Sequence, residues 1–536
     1  MQARKTGVRQ GDSLKRGVLF LTLANLLVKV LGFAYKVPLN TLLGDEMANV
    51  NAAAALFAVL YTAMAAGVPG ALSLSISRAR AVGDGARIKK LFDTTLLLLL
   101  AVGFLLSLFL FLLAKPLSLL DGDGTGYLCT LAIAPALFFT AVTSVLRGFF
   151  QGFSRLIPTA VSELFEALGK AGFGVAFAFL SIRILGRSVS VAAALAVFGI
   201  TLGIMLGALF LGLWYGREKR AMLAPLDMNK ETEAKSALRT VLLLALPITL
   251  SSALMSVGSF IDARMMRPLL EDYFGDPLLA KALYSDYSTG ALTLYNLPGV
   301  LILPISTALI PYISGAVTSG HKERARKVIK EALKLSILIS LPAALGMSVL
   351  ASPILSFVFR SDTDMGENAG ASLSVLALCV LFSAILTVTS AALQSFKRER
   401  LPILSIGVGV LIKLLVIKPL VVQFGTVGVP LSTLAFMMTA AMLNLILLCK
   451  TASLRPQFFD TLLRPLLCAA LTAAVAYFTH KGLILHIGEN TALLLAVLLG
   501  AFVYVALVFL TRAVSEEELS LLPFVKSRQE KKSPCK

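Results

Sequence analysis

Apolar residues recur along this chain in runs of about 20, broken by short polar connections, from residue 17 to residue 511. Helical runs of that length match a bilayer's hydrocarbon core, roughly 30 Å thick at about 1.5 Å per residue. The pattern predicts segments at 17–39, 48–77, 92–114, 127–150, 158–182, 190–215, 240–263, 288–313, 331–358, 369–393, 401–423, 427–449, 461–479 and 491–511. Strands of an outer-membrane barrel would alternate apolar and polar residues in tracts of about ten, and these runs do not. The expected fold class is therefore all-α and polytopic, with about 14 transmembrane helices. The first run is too long for a cleavable signal peptide and carries lysines, so none is expected.

Composition agrees with this pattern, and charge adds a direction to it. Of 536 residues, 57% are hydrophobic and 15% charged, against about a quarter charged in soluble proteins. The net charge of +19 is unevenly placed. Alternate connections collect 36 of the 49 lysines and arginines, the opposite loops hold 8, and 5 lie within segments. The opposite loops carry acidic pairs instead, such as Asp45-Glu46, Glu271-Asp272 and Asp362 with Asp364. This asymmetry is expected to place both termini in the cytoplasm. The basic balance is thus topological, with contact to anionic inner-leaflet lipid expected and no nucleic-acid partner. The five cysteines are scattered without metal spacing, and His321, His480 and His486 are placed in loops or at helix ends, so no metal site is expected.

A repeat divides the segments. AAGVPGALSLSISR around Pro69 matches YNLPGVLILPISTALIPYIS around Pro298, each an apolar-Pro-Gly break followed by small and β-branched residues. TSVLRGFFQGFSRLIP (Gln151, Pro158) matches TSAALQSFKRERLP (Gln394, Pro402). Segments 1–6 are then repeated as 7–12 in the same orientation, two six-helix lobes in a parallel pseudo-twofold arrangement, with two extra C-terminal helices. The expected division is a basic tail (1–16), a first lobe (17–216), a cytoplasmic linker (217–239), a second lobe (240–450), helices 13–14 (451–511) and a tail (512–536). Pro69, Gly70, Pro298 and Gly299 are the hinge candidates.

Charges inside the segments are the candidate chemistry. Lys29 and Lys36 lie seven apart in the first segment, on one helical face and about 10 Å apart along the axis. A cation at the bilayer centre costs about 2.5–3.5 kcal/mol on insertion scales. The cost is tolerable where the lysines face water or an anion, so this face is expected to line the path of a negatively charged cargo. Lys413, near the middle of the eleventh segment, is a further candidate. Glu163, Glu166 and Lys170 form one stripe in the fifth segment, where Glu166 and Lys170 have the favourable order for an i, i+4 pair. Arg147 and Gln151, at the inner end of the fourth, are gate or headgroup candidates. Asp262, at the outer end of the seventh, is expected to be solvated.

The stretches VKVLGFAYKVPL (Val28–Leu39), AGVPGALSLSISR (Ala66–Arg78), APALFFTAVTSVLRGFFQGFSRLIPTAVSELFE (Ala134–Glu166), LPITLSSALMSVGSFID (Leu246–Asp262), NLPGVLILPISTALIPYIS (Asn296–Ser314) and SEEELSLLPFVKS (Ser515–Ser527) carry a resemblance. The chain resembles the MOP exporter superfamily, in the branch of stage V sporulation protein B and the lipid II flippases. The resemblance implies a flippase moving an undecaprenyl-pyrophosphate-linked saccharide from the inner to the outer leaflet, in cell-wall or other polysaccharide synthesis. Lys29 matches the family's basic position before V-L-G-F. Lys36 lies one place beyond a second basic position, which here is Tyr35. The lipid II flippases carry a further arginine in the helix resembling the eighth, whereas Thr293–Leu297 hold no cation here.

The expected partners are the lipid-linked saccharide, membrane lipids and cell-wall synthesis proteins, and the chain is expected to act as a monomer. No cofactor is expected. Without a nucleotide-binding P-loop, the drive would be the membrane potential, H⁺ or Na⁺. No nucleophile–base pair or carboxylate cluster suggests an enzyme. The alternative reading is a cation-coupled multidrug exporter of the same superfamily, in which Glu163 and Glu166 would bind the cation.

Overall fold

The computed structural model describes residues 24, 26–119, 126–228, 234–300, 302, 313, 321–359, 365–454 and 462–511. These residues are nearly all helical, and among them the one bridge outside helices joins Asp84 to Asp227. Among the described residues, eleven spans are long and apolar enough to cross a membrane. Two of them, Leu26–Ala81 with 56 residues and Arg400–Ala452 with 53, far exceed one crossing. Each is interrupted by a three-residue 3₁₀ turn, Gly44–Glu46 or Gly425–Val427, that starts on a glycine with positive φ. Each therefore has the length for two crossings.

The chain forms two compact units, Met1–Thr289 with Val421–Gly425, and Gly290–Leu420 with Thr426–Lys536. In the first unit, residues 26–34 lead through Tyr35 into α1 (Lys36–Leu43). There follow α2 (Met47–Ala65), α3 (Gly67–Ala81), α4 (Gly85–Leu119), α5 (Tyr127–Ile133), α6 (Ala136–Gly152), α7 (Ile157–Phe179), α8 (Val189–Leu223), α9 (Ala234–Phe274) and α10 (Pro277–Asp286). The seventh predicted segment, 240–263, is part of the 41-residue α9, which packs on α2 and α3. Pro277 opens α10 at a position needing no N–H, and Asp276 caps it by accepting from the Leu278 and Leu279 amides.

In the second unit, α11 (Leu292–Tyr295) precedes α12 (Lys322–Val349), α13 (Ala351–Val358), α14 (Met365–Ser395), α15 (Arg400–Phe424), α16 (Gly428–Ala452), α17 (Arg464–Ile487) and α18 (Glu489–Leu510). Here α14 packs on α12 and α16, and α17 on α18. Most of the eighth predicted segment and the start of the first lie outside the described residues.

The paired sequence motifs have paired local geometry. After Gln151, Ser154 takes φ +60°, its N–H donates to the Gln151 carbonyl, and the Arg155 N–H donates to the Phe150 carbonyl. After Gln394, Lys397 takes φ +58°, its N–H donates to the Gln394 carbonyl, and the Arg398 N–H donates to the Leu393 carbonyl. Both are Schellman caps closed by a residue other than glycine. The helix pair at Pro69 is broken at Ala66, and α11 ends at Asn296, just before Pro298.

The closest packing in the first unit joins α7 to α8. A side chain on Gly169 would place its Cβ 2.3 Å from the Gly203 Cα, and one on Gly199 2.4 Å from the Gly174 nitrogen. Gly199, Gly203 and Gly207 repeat every four residues, so they line one face and let two backbones touch. This contact settles how α7 presents its charged stripe.

Candidate functional site

The site starts on the helix leading into α1. Lys29 is exposed, and Lys36, two turns on, is half-buried. The Lys36 ammonium donates to Asn51 Oδ1 of α2 at 3.2 Å and to the Ser288 carbonyl at 3.3 Å. The Asn51 amide donates in turn to Ser288 Oγ (3.0 Å) and Thr289 Oγ1 (2.7 Å). Ser288 and Thr289 belong to a π-helical turn, Tyr287–Ala291, the kind of local widening that re-aims side chains at functional positions. Nearby, Lys281 pairs with Glu46 at 2.6 Å, and Glu46 also accepts from Asn49 at 2.7 Å.

The stripe on α7 divides in two. Glu166 pairs with Arg147 of α6 at 2.6 Å, and the Arg147 Nε donates to Ser162 Oγ at 3.0 Å. The expected Glu166–Lys170 pair is therefore absent. Arg147 is buried at 7% exposure, so a neutral α6 face in an apolar bundle requires a carboxylate close by, and Glu166 supplies it. Arg147 is thus a buried ion-pair residue that also lines a cavity with Glu163. Lys170 turns the other way and places its ammonium 4.6 Å from the centre of the Tyr35 ring, a cation–π contact. There it is close enough to Lys29 and Lys36 to act on both electrostatically.

Glu163 lines a cavity of about 360 Å³ with Tyr61, Thr62, Pro69, Arg147 and Gln151. Its Oε2 has no hydrogen-bond partner among the described residues. Of the hinge candidates, Pro69 is buried at the start of α3, while Gly70 and Gly299 are exposed with open space where a side chain would sit. Pro298 is half-buried in the turn following α11. Lys413, in the second unit, is fully enclosed and donates to Thr433 Oγ1 of α16 at 2.7 Å. It meets a ligand only where that packing opens.

Two expectations about burial are corrected. Asp262 is 2% exposed and accepts from the Tyr287 hydroxyl at 3.2 Å, because α9 continues past it to Phe274 and covers it. His480 is buried within α17, which runs to Ile487, eight residues beyond the predicted end. Sequence reading also passed over the glycine triplet 199/203/207, whose four-residue spacing is the available signal for the α7–α8 contact.

The model for polysaccharide biosynthesis proteins matches residues 14–317, more than half of the chain. The chain belongs to the polysaccharide biosynthesis protein family. A second family model, MatE, matches residues 247–417 of this polysaccharide biosynthesis protein. Among curated proteins it is 26% identical to the uncharacterized membrane protein YabM of Bacillus subtilis (strain 168) over 520 residues, 95% of this chain and 94% of that one. It is 24% identical to the lipid II flippase MurJ of the same organism over 440 residues, 79% of this chain and 80% of that one. Among solved structures, the lipid II flippase MurJ in an inward closed conformation superposes with TM-score 0.69 at 16% identity, covering 92% of this chain and 99% of that one. The resemblance to the MOP exporter superfamily, in its lipid II flippase-like branch, holds. The protein is a multi-pass membrane transporter, not an enzyme.

Proposed function

We propose that this protein carries a polyprenyl-pyrophosphate-linked saccharide from the inner to the outer leaflet of the bacterial cytoplasmic membrane by alternating access. In this reading it has fourteen transmembrane helices in two six-helix lobes plus two, and both termini are cytoplasmic. The observation that carries it is the exposed Lys29, in the middle of the predicted segment 17–39 and two turns before Lys36, with the Lys170 ammonium on the intervening Tyr35 ring. An exposed ammonium at that depth costs about 2.5–3.5 kcal/mol in lipid, and a second lysine nearby raises that cost. A wet surface that receives an anion removes it. Lys29 and Lys36 then hold the pyrophosphate through charge-assisted hydrogen bonds, with Asn51 orienting Lys36.

The saccharide head cannot cross hydrocarbon unaided, since each polar group left unpaired there costs several kcal/mol. The break at Ala66, between α2 and α3, lets these helices tilt as the head passes. The membrane potential, inside negative, favours outward movement of the anionic head by about 2.3 kcal/mol per charge per 100 mV. The drug-exporter reading draws less support, because Glu166 is engaged by Arg147.

Reconstitution in proteoliposomes with a fluorescent polyprenyl-pyrophosphate saccharide tests the proposal. Lys29→Gln is expected to abolish flipping while the protein inserts and unfolds at the wild-type temperature. Flipping at the wild-type rate in this variant would sink the reading.

A further inference from the structure

We propose that Lys170 is a third headgroup cation, and that it makes the site select a pyrophosphoryl lipid over a monophosphoryl one. The inference rests on the flippase reading given above. Its basis is a displaced ion pair. Four residues before Lys170, on the same stripe of α7, Glu166 is held instead by Arg147 of α6 at 2.6 Å. Lys170 makes no contact with a carboxylate among the described residues, and neither does Lys29. The Lys170 ammonium rests on the Tyr35 ring at 4.6 Å, one residue from Lys36 in the chain.

Two features keep it there. The α7–α8 backbone contact runs along this part of α7, since a side chain on Gly203 would meet the Lys170 backbone nitrogen at 3.0 Å and the Glu166 carbonyl at 2.7 Å. The face of Tyr35, itself buried, attracts the ammonium without neutralising it. The charge of Lys170 is therefore positioned and left uncompensated by an acidic side chain. Beside it, Lys29 is exposed and Lys36 donates to Asn51 and to the Ser288 carbonyl.

A cluster of like charges favours the ligand carrying more opposite charge. A pyrophosphate diester carries two negative charges and a phosphodiester one, so each added ammonium widens the preference. Next to the cluster, Leu31, Ala34, Pro38, Val175 and Phe179 line an apolar groove of about 550 Å³ that also reaches Tyr35. The shared chemistry is a pyrophosphoryl group, and the groove assigns it to a lipid instead of a free anion.

The test uses the purified full-length protein in detergent and measures binding of farnesyl pyrophosphate, farnesyl monophosphate and inorganic pyrophosphate. The wild type is expected to prefer farnesyl pyrophosphate over both others. Lys170→Met is expected to weaken farnesyl pyrophosphate binding by at least about tenfold, the usual scale for removing one member of a buried charge contact, and to weaken the monophosphate less. Lys170→Arg is expected to restore the preference, and Tyr35→Phe to keep it, since the ring face and not the hydroxyl holds the ammonium. Thermal unfolding of each variant confirms that it is folded. Unchanged affinity and preference in a folded Lys170→Met, with farnesyl pyrophosphate binding lost in Lys29→Gln, would overturn the role of Lys170 and leave the flippase reading standing. Equal binding of inorganic and farnesyl pyrophosphate would overturn the lipid assignment. A wild type that binds neither lipid would sink both.

Discussion

Arg147→Ala is expected to destabilise the first unit by about 3–5 kcal/mol, the range for removing one partner of a buried ion pair. Arg147 is almost wholly enclosed, with Glu166 at 2.6 Å and Ser162 Oγ at 3.0 Å, and it lines the cavity that Glu163 faces. The truncation strands Glu166 as an unpaired carboxylate among apolar helices and leaves Glu163 without a nearby cation. Replacing both partners, as Arg147→Met with Glu166→Met, removes the stranded charge and is expected to recover most of the loss. Equilibrium unfolding in mixed micelles measures both. A fully stable single variant would mean that water reaches Glu166 freely. The double variant has a second use. With Glu166 replaced, no carboxylate is freed beside Lys170, which keeps its place on Tyr35, so binding of farnesyl pyrophosphate is expected to survive in the double variant.

Gly169→Val is expected to cost about 3 kcal/mol or more, at the upper end for forcing extra atoms into a packed interior. Its Cβ would fall 2.3 Å from the Gly203 Cα, and backbone on both helices must part to admit it. The neighbouring Gly172 is the control. Nothing lies within 4 Å of a side chain there, so Gly172→Ala is expected to leave stability unchanged or raise it by up to about 1 kcal/mol through better helix propensity. Thermal unfolding in detergent separates the two. Equal midpoints for the two variants would mean that α7 and α8 are not held at backbone contact.

The positions of the helices were legible because a span must be long, apolar and internally hydrogen-bonded, and each requirement leaves a mark on neighbouring residues. The Gln151 and Gln394 motifs were legible for the same reason, since a helix cap is built from residues within a turn of one another. The pairing of Glu166 was not. Local spacing offered Lys170 four residues on, yet the partner comes from another helix, 19 residues back. Asp262 failed likewise, because its burial depends on Tyr287 and on a helix that outruns its apolar core.

By itself the sequence determined that this is an all-helical, multi-pass membrane protein of a known transporter family, and that Lys29 and Lys36 share one face of its first helix. The helices and the shared face follow from periodicity and composition, which act over a few residues, and the family from the likeness of its motifs. Only the tertiary structure decided which charges are spent on each other. Arg147 takes Glu166, Thr433 holds the enclosed Lys413, and Lys170 is left to Tyr35 beside the lysines of the first helix. Charge pairing is settled by distance in space, and in the first unit that distance is set by glycines that let α7 and α8 meet backbone to backbone.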